Sequence, residues 1–279
     1  MIQIHHARRP ERAAAEALWT EVFGDGPEFQ RDFRRLCAPE GPLVLTEDGA
    51  LRSMLSLPEL ALVLADGKKL RAGYVYALAT RPECRGQGWA GMLLETAAGL
   101  ARDRGLDCLL TVPAGPELFA FYKRHGFQPE FYRRETTAQP APARSEALTP
   151  AQYAALREEL LAGRAHTAYT PSQLIFQRGL CPGPGSGLYR LELARGPGCA
   201  AVENWAGGPV VKELLCAPGD EGQGAAACAA LCGRPVTARV PAGRSGSDGM
   251  PFACIRWMEG TPASLRAGAA DGWLGLAFD

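Results

Sequence analysis

The chain has 279 residues, with 30 Lys and Arg against 30 Asp and Glu, and 47% of its residues are hydrophobic. That length suits one large domain or two ordinary ones, and the apolar content can fill a core. Balanced charge without a basic tract argues against nucleic acid as the main partner, and no apolar run approaches a membrane span. Met1-Ile2-Gln3-Ile4-His5-His6 lacks the apolar core of a signal peptide. Nine cysteines at irregular spacings and four histidines offer no zinc ligand set. Cys228 and Cys232, one helical turn apart, read as packed small residues. The expectation is a reduced, cytoplasmic, metal-free protein.

In chain order, residues 2–4 read as a short strand. Arg9–Phe23 is a helix, because Ala14, Leu18, Val22 and their neighbours form one apolar stripe. Gly24-Asp25-Gly26-Pro27 ends it. Residues 29–36 read as a second helix and 43–45 as a strand. A strand pair over 51–63 is interrupted at Pro58, and Asp66-Gly67 turns the chain. Residues 74–80, Tyr-Val-Tyr-Ala-Leu-Ala-Thr, then form a continuous strand that Pro82 stops. Arg85-Gly86-Gln87-Gly88-Trp89-Ala90-Gly91 leads into a helix that Gly105 caps. An apolar strand over 106–112, the turn Pro113-Ala114-Gly115-Pro116, a helix over 117–125 and Gly126-Phe127 follow.

The strand–turn–helix order across residues 74–102 has a chemical meaning. The first N–H groups of a helix have no partner inside it, and with the helix dipole they form an anion site. Gly86 and Gly88 leave room for a phosphate, and Arg85 adds a fixed positive charge with forked donors. No Gly-Lys-Ser/Thr follows, which excludes a P-loop, and the dinucleotide pattern lacks its acidic partner. Arg85-x-x-Gly88-x-Ala90 resembles the acyl-CoA signature of the GCN5-related N-acetyltransferase (GNAT) superfamily. Residues 118–127, a Tyr-bearing helix ending at Gly-Phe, look like that family's second signature. Together the two matches cover about residues 70–127.

The resemblance implies an α/β (mixed α+β) GNAT fold whose sheet splays after the key strand. It implies acetyl-CoA as cosubstrate. The backbone of Leu78, Ala79 and Thr80 would hold the acetyl and pantetheine groups. Arg85, Gly86, Gln87, Gly88, Trp89, Ala90 and Gly91 would hold the pyrophosphate. Pro113 and Ala114 would line the other side of the splay. Tyr122 would be the general acid, against the plainer reading of a core aromatic beside Phe119 and Phe121. In the two-part relatives the terminal carboxylate enters the cleft, which makes the Asp279 α-carboxylate a candidate base.

The second half begins after a Pro/Ala-rich linker. The expected division is 1–136 for the catalytic domain, 137–148 for the linker and 149–279 for a second, degenerate GNAT-like half. Residues 146–162 and Pro171–Gly179 read as helices, and Gly187–Leu193, 199–205 and 210–215 as strands. Gly222-Gln223-Gly224 before an alanine-rich helix, then a strand ending Val240-Pro241-Ala242-Gly243, echo the first half. Glu221 then stands where Arg85 stands, and a carboxylate there would repel a pyrophosphate. Residues 272–279 read as a docked, strand-like tail. A working half followed by a worn one resembles the enhanced-intracellular-survival type of acetyltransferase, without that type's sterol-carrier-like third domain.

The implied activity is acetyl transfer to a primary amine of a small molecule or peptide, in a ternary complex. No nucleic acid, membrane or metal enters it, and the sequence does not fix an oligomeric state. Polyamine, aminoglycoside, amino acid and protein amine all fit as acceptors. The competing readings are a non-catalytic acyl-CoA sensor and an acyl transferase that uses tRNA.

Overall fold

A computed structural model describes residues 1–244 and 249–278. The elements in chain order are β1 Ile2–His6, α1 Arg9–Phe23, α2 Pro27–Leu36, β2 Leu43–Glu47, β3 Ala50–Ser56, β4 Glu59–Val63, β5 Lys69–Tyr74, β6 Tyr76–Thr80, α3 Trp89–Asp103, β7 Cys108–Thr111 and α4 Leu118–Arg124. They continue with β8 Gln128–Ala138, β9 Ser145–Ala147, α5 Pro150–Leu160, β10 His166–Ala168, α6 Pro171–Gly179, β11 Gly187–Leu193, β12 Gly196–Trp205, β13 Gly208–Leu215, α7 Glu221–Cys232, β14 Val236–Ala242, β15 Met250–Trp257 and α8 Ala263–Gly268.

The chain forms two compact units. The first comprises Met1–Ala61, Leu70–Gln128 and Cys254–Pro262, and the second Leu62–Lys69, Pro129–Ala253 and the stretch from Ala263 on. The expected linker at 137–148 is not one. β8 runs unbroken through Ala138, and β9 pairs with β11 at Ser145–Leu191 and Ala147–Tyr189. The compact units change at Gln128/Pro129 instead, and the first unit takes back part of β15, a strand absent from the sequence reading.

In the first unit, β1, β2, β3 and β6 form an antiparallel sheet in that order. β5 runs parallel to β7, with Ala72 opposite Cys108 and Tyr74 opposite Leu110. Val75 N–H makes the next bond, to Leu110 O at 2.8 Å. From Tyr76 the chain pairs with β3 instead, and the register shifts between Met54 and Ser56. Ala77 sits in the left-handed region at φ 50°, the mark of a bulge. The continuous strand expected over 74–80 is therefore two strands that part at Val75. α3 packs under this fork with Leu93, Leu94, Ala97, Ala98 and Ala101 all fully buried, one face at helical spacing.

In the second unit, β14 lies antiparallel to β8 and parallel to β13, and β13, β12 and β11 continue antiparallel. The alanine-rich α7 buries Ala225, Ala227, Cys228, Ala229 and Cys232 in the core with Val211, Leu214 and Val236. The echo of the first half fails at its glycines. Gly222 and Gly224 lie inside α7, and neither has a positive φ. A Cβ at Gly224 would come within 2.9 Å of Leu214 Cδ1, so close packing is what calls for glycine there. Glu221 accepts hydrogen bonds from Arg134 and from Gly219 N–H.

The tail is docked but is not a strand. Trp273, Leu274, Leu276 and Ala277 are fully buried. The Leu274 carbonyl accepts from the Thr167 hydroxyl at 2.7 Å and the Tyr169 hydroxyl at 2.6 Å, in place of ladder bonds. Trp273 Nε1 donates to Glu213 Oε2 at 2.6 Å. The buried Glu213 carboxylate also accepts from the Tyr153 hydroxyl at 2.6 Å and from Arg157 Nε and Nη2 at 2.8 and 3.1 Å. Burial and the neighbouring carboxylate hold Tyr153 well above the usual phenol range, so it remains a donor. No helix among the described residues is long and apolar enough to cross a membrane.

A buried ion pair that loses one partner leaves an uncompensated charge, at a cost of about 3–5 kcal/mol. Glu213→Leu is expected to lower stability by that amount in denaturant unfolding. Glu213→Leu combined with Arg157→Met should regain most of it, because both charges are then gone. A single variant within about 0.5 kcal/mol of wild type would show that the cluster contributes little.

Candidate active site

The fork generates the site. Where β6 leaves β7, the Val75 carbonyl accepts from the Thr111 hydroxyl at 3.1 Å. The Thr111 side chain also lies beside the Tyr122 phenol and favours its ionised form, against the larger opposite effect of burial. The Tyr122 ring is buried, edge-on to Phe121 and Phe127 at centroid distances of 5.2 and 5.5 Å. Burial raises its phenol above the usual range. Thr111 was not foreseen, because a Thr closing an apolar strand carries no local signal of a partner 11 residues on.

β6 is an edge strand of its sheet, so one side of its backbone is open to further pairing. The Ser53 hydroxyl bonds to Ala79 O at 2.6 Å and to the Thr80 hydroxyl at 2.8 Å, which pins the end of the strand against β3. Leu78, Ala79 and Thr80 lie on this strand.

Beyond Thr80 the chain makes a single 3-10 turn over Pro82–Cys84 and then the glycine turn. Gly86 and Gly88 have φ of 78° and 85°. A Cβ on either would touch nothing within 4 Å. Glycine is needed here for its left-handed backbone, and the turn surface is open. Gly88 caps α3 without any side-chain acceptor, and the first turn of the helix carries no acidic residue. The amides of Trp89, Ala90 and Gly91 have no carbonyl inside the helix to bond. Arg85 is exposed, and its Nε donates to Thr80 O at 3.3 Å.

These residues line a cleft of about 400 Å³. Thr80, Cys84, Arg85, Gly86, Gly88, Trp89, Ala90 and Gly91 form one side, and Phe121, Arg124 and His125 of the α4 segment the other. Of the residues singled out from sequence, Thr80 and the glycine turn come together here. Gln87 is exposed in the turn but does not line the cleft, and neither do Leu78, Ala79, Tyr122, Pro113 or Ala114. Pro113 is buried just past β7, and Ala114 is exposed. Asp279 lies outside the described residues.

Phe121, Arg124 and His125 are additions to the sequence reading. Their spacing of three and four puts them on one helix face, which was the available signal. His125 also explains Gly91: a Cβ there would lie 2.6 Å from the imidazole Cε1. His125 Nδ1 is 3.7 Å from Glu95, which Arg256 grips with two bonds of 2.8 Å each. Those Arg256 bonds, despite partial burial, hold the Glu95 carboxyl below the usual range.

An open anion cradle beside a free strand edge suits a nucleotide thioester: amides and the guanidiniums of Arg85 and Arg124 for phosphate, a peptide-like edge for an extended arm. Among the described residues, no group of three or more His, Cys, Asp or Glu is placed to hold a metal ion.

Comparison with known proteins speaks for the fold. The family described as Acetyltransferase (GNAT) domain matches residues 3–129. No curated protein matches the chain. The GCN5-related N-acetyltransferase of Kribbella flavida is 13% identical, with a TM-score of 0.68 over 92% of this chain and 71% of that one. The GCN5-related N-acetyltransferase of Anabaena variabilis is 11% identical, with a TM-score of 0.67 over 93% and 73%. Eis1 of Mycobacterium abscessus is 14% identical, with a TM-score of 0.63 over 93% and 74%. At such identities these likenesses speak for the fold, and they extend through both halves. The family model matches residues 3–129, and the fold shared with these structures extends over more than nine-tenths of the chain.

Proposed function

We propose that the chain transfers the acetyl group of acetyl-CoA to a primary amine of a small molecule or peptide, by direct attack in a ternary complex. One observation carries this reading: the left-handed Gly86–Gly88 turn opens on the α3 N-terminus right after the edge strand that leaves the sheet fork. Phosphate oxygens would sit on the amides of residues 88–91 with Arg85 alongside. The pantetheine arm would run along the free edge of β6. Pro113 and Ala114, past the end of β7, would flank the acyl end.

In the reaction the amine nitrogen attacks the thioester carbon. The C–N bond forms, the C–S bond breaks and CoA leaves as thiolate. A β6 N–H at Leu78 or Ala79 would polarise the carbonyl oxygen. Tyr122 would supply the proton as charge develops on sulfur. A phenol is a weaker acid than a thiol, and burial weakens Tyr122 further. Its part is therefore a hydrogen bond or a late proton to the thiolate, replenished from solvent. The ammonium formed at nitrogen must lose a proton to solvent.

Replacing Tyr122 by Phe should lower kcat about 100-fold or more and leave CoA affinity within about twofold in calorimetry. Because its phenol lies above the usual range, Tyr122 stays protonated from pH 6 to 9. The kcat profiles of wild type and Tyr122→Phe should then share one shape over that range. Unchanged turnover removes Tyr122 from the chemistry.

Arg85→Glu should weaken CoA binding about 10- to 100-fold, since it deletes charged hydrogen bonds and adds repulsion. The deficit should widen as salt is lowered. Thiol release from acetyl-CoA with a panel of primary amines tests the activity itself. Tight CoA binding with no thiol release for any amine would point to a sensor instead.

A further inference from the structure

The α4 wall of the cleft carries cations that a pyrophosphate on the α3 N-terminus does not use. Arg124 is exposed there, and among the described residues it makes no hydrogen bond or ion pair. Other arginines of the first unit are committed: Arg34 to Glu16, Arg71 to Glu59, Arg104 to Glu40 and Arg256 to Glu95. Among the described residues, no Asp or Glu lines the cleft.

His125 stands beside Arg124. Its ring tilts against Phe121 with centroids 4.9 Å apart. Nδ1 lies 3.7 Å from Glu95, whose two oxygens are already taken by Arg256. The imidazole rests on the first turn of α3 at Gly91, where a Cβ would come within 2.6 Å of Cε1 and 3.1 Å of Nε2. Gly91 has no positive φ, so close packing is what calls for glycine there. Glycine is costly inside a helix, and the chain accepts that cost to seat the imidazole. The plain role of basic residues at the end of α4 is to offset the carbonyl end of its dipole. Lys123 serves that role from outside the cleft. It does not call for an imidazole laid on the positive end of α3, an arrangement that a shared anion would make favourable.

Charge and size point the same way. Arg85, Arg124 and the α3 N-terminus offer about +2.5 before His125 takes a proton. A pyrophosphate bridging two alcohols has a single charge on each phosphate. A phosphomonoester adds about −1.5 to −2 at neutral pH. The cleft of about 400 Å³ has the size of a small-molecule pocket rather than of a single anion's. Phe121 offers a ring on which a base can stack. A ring flanked by a guanidinium and an imidazole suits a nucleoside that bears its own phosphate.

We propose that Arg124 and His125 form a second anion station that reads the 3′-phosphate of the CoA nucleotide. The donor is then the full coenzyme. Dephospho-CoA lacks the group this station holds, and so does an acyl-phosphopantetheine carried on a protein. The inference rests on the CoA reading above and adds to it which part of the coenzyme the α4 wall selects.

Calorimetry on the full chain tests it by comparing CoA with dephospho-CoA, which keeps the pyrophosphate and the pantetheine arm. Wild type is expected to bind CoA about 10- to 100-fold more tightly. Arg124→Gln should cut that ratio to about threefold or less, by weakening CoA and leaving dephospho-CoA within about twofold. His125→Gln should move the ratio in the same direction by a smaller factor. Arg85→Gln should weaken both ligands alike and so preserve the ratio, because both keep the pyrophosphate. Equal affinity of wild type for the two coenzymes overturns the second station and leaves the CoA reading standing. A wild-type preference that Arg124→Gln and His125→Gln both leave unchanged overturns the assignment to the α4 wall. Equal weakening of both ligands by Arg124→Gln also overturns it, since Arg124 would then add only general positive potential. No binding of either coenzyme overturns the CoA reading and the inference together.

Discussion

A β-strand can be paired on both sides or can leave one side for a ligand, and here Ala77 decides which. Its left-handed backbone costs on the order of 1–2 kcal/mol in an L-residue. The conformation turns β6 away from β7, so the amides that would have continued that ladder become a free edge. Compensating bonds gather at the parting. Thr111 satisfies the Val75 carbonyl, and Ser53 satisfies that of Ala79. The glycine turn then falls where an extended arm lying on that edge would end.

This view accounts for the odd placement of Tyr122. It lies outside the anion cleft, buried beside the fork. The two places are chemically distinct: the cleft is open and offers amides and guanidiniums, whereas Tyr122 is buried against aromatic rings. Phe121, Arg124 and His125 line the cleft from one face of the α4 segment, and Tyr122 is buried on another.

Much of this was legible in the residues. Arg9–Phe23 announces itself by an apolar stripe and flanking turn signals, and the Arg85–Gly91 turn by glycines whose only use is a left-handed backbone. The break at Val75 was hidden because Ala, unlike Gly, gives no hint of positive φ. Gly222 and Gly224 misled for the opposite reason: they were read as a turn, but Leu214 presses on the α7 backbone and packing, not conformation, selects the small residue. The tail's apolar run announced burial correctly but could not reveal that Thr167 and Tyr169 side chains, rather than a neighbouring strand, take its Leu274 carbonyl. β15 escaped because Met-Pro-Phe-Ala-Cys-Ile-Arg-Trp has no alternation and contains a proline. Its pairing with β7 joins residues far apart in the chain, which local pattern cannot report.

That pairing has an effect on how the protein comes into being. Cys254–Trp257 lies against β7 with Cys254 opposite Thr111, and Arg256 clamps Glu95 of α3. A chain emerging from the ribosome carries the glycine turn, α3 and β7 out early, yet the strand that flanks β7 arrives only after most of the other unit has been made. The first unit therefore waits, with one side of β7 uncovered, through more than a hundred residues of further synthesis (Phe127 to Cys254). Translation pauses or truncations inside that interval would release an incomplete first half, and the nascent chain would have most need of a chaperone over that same interval.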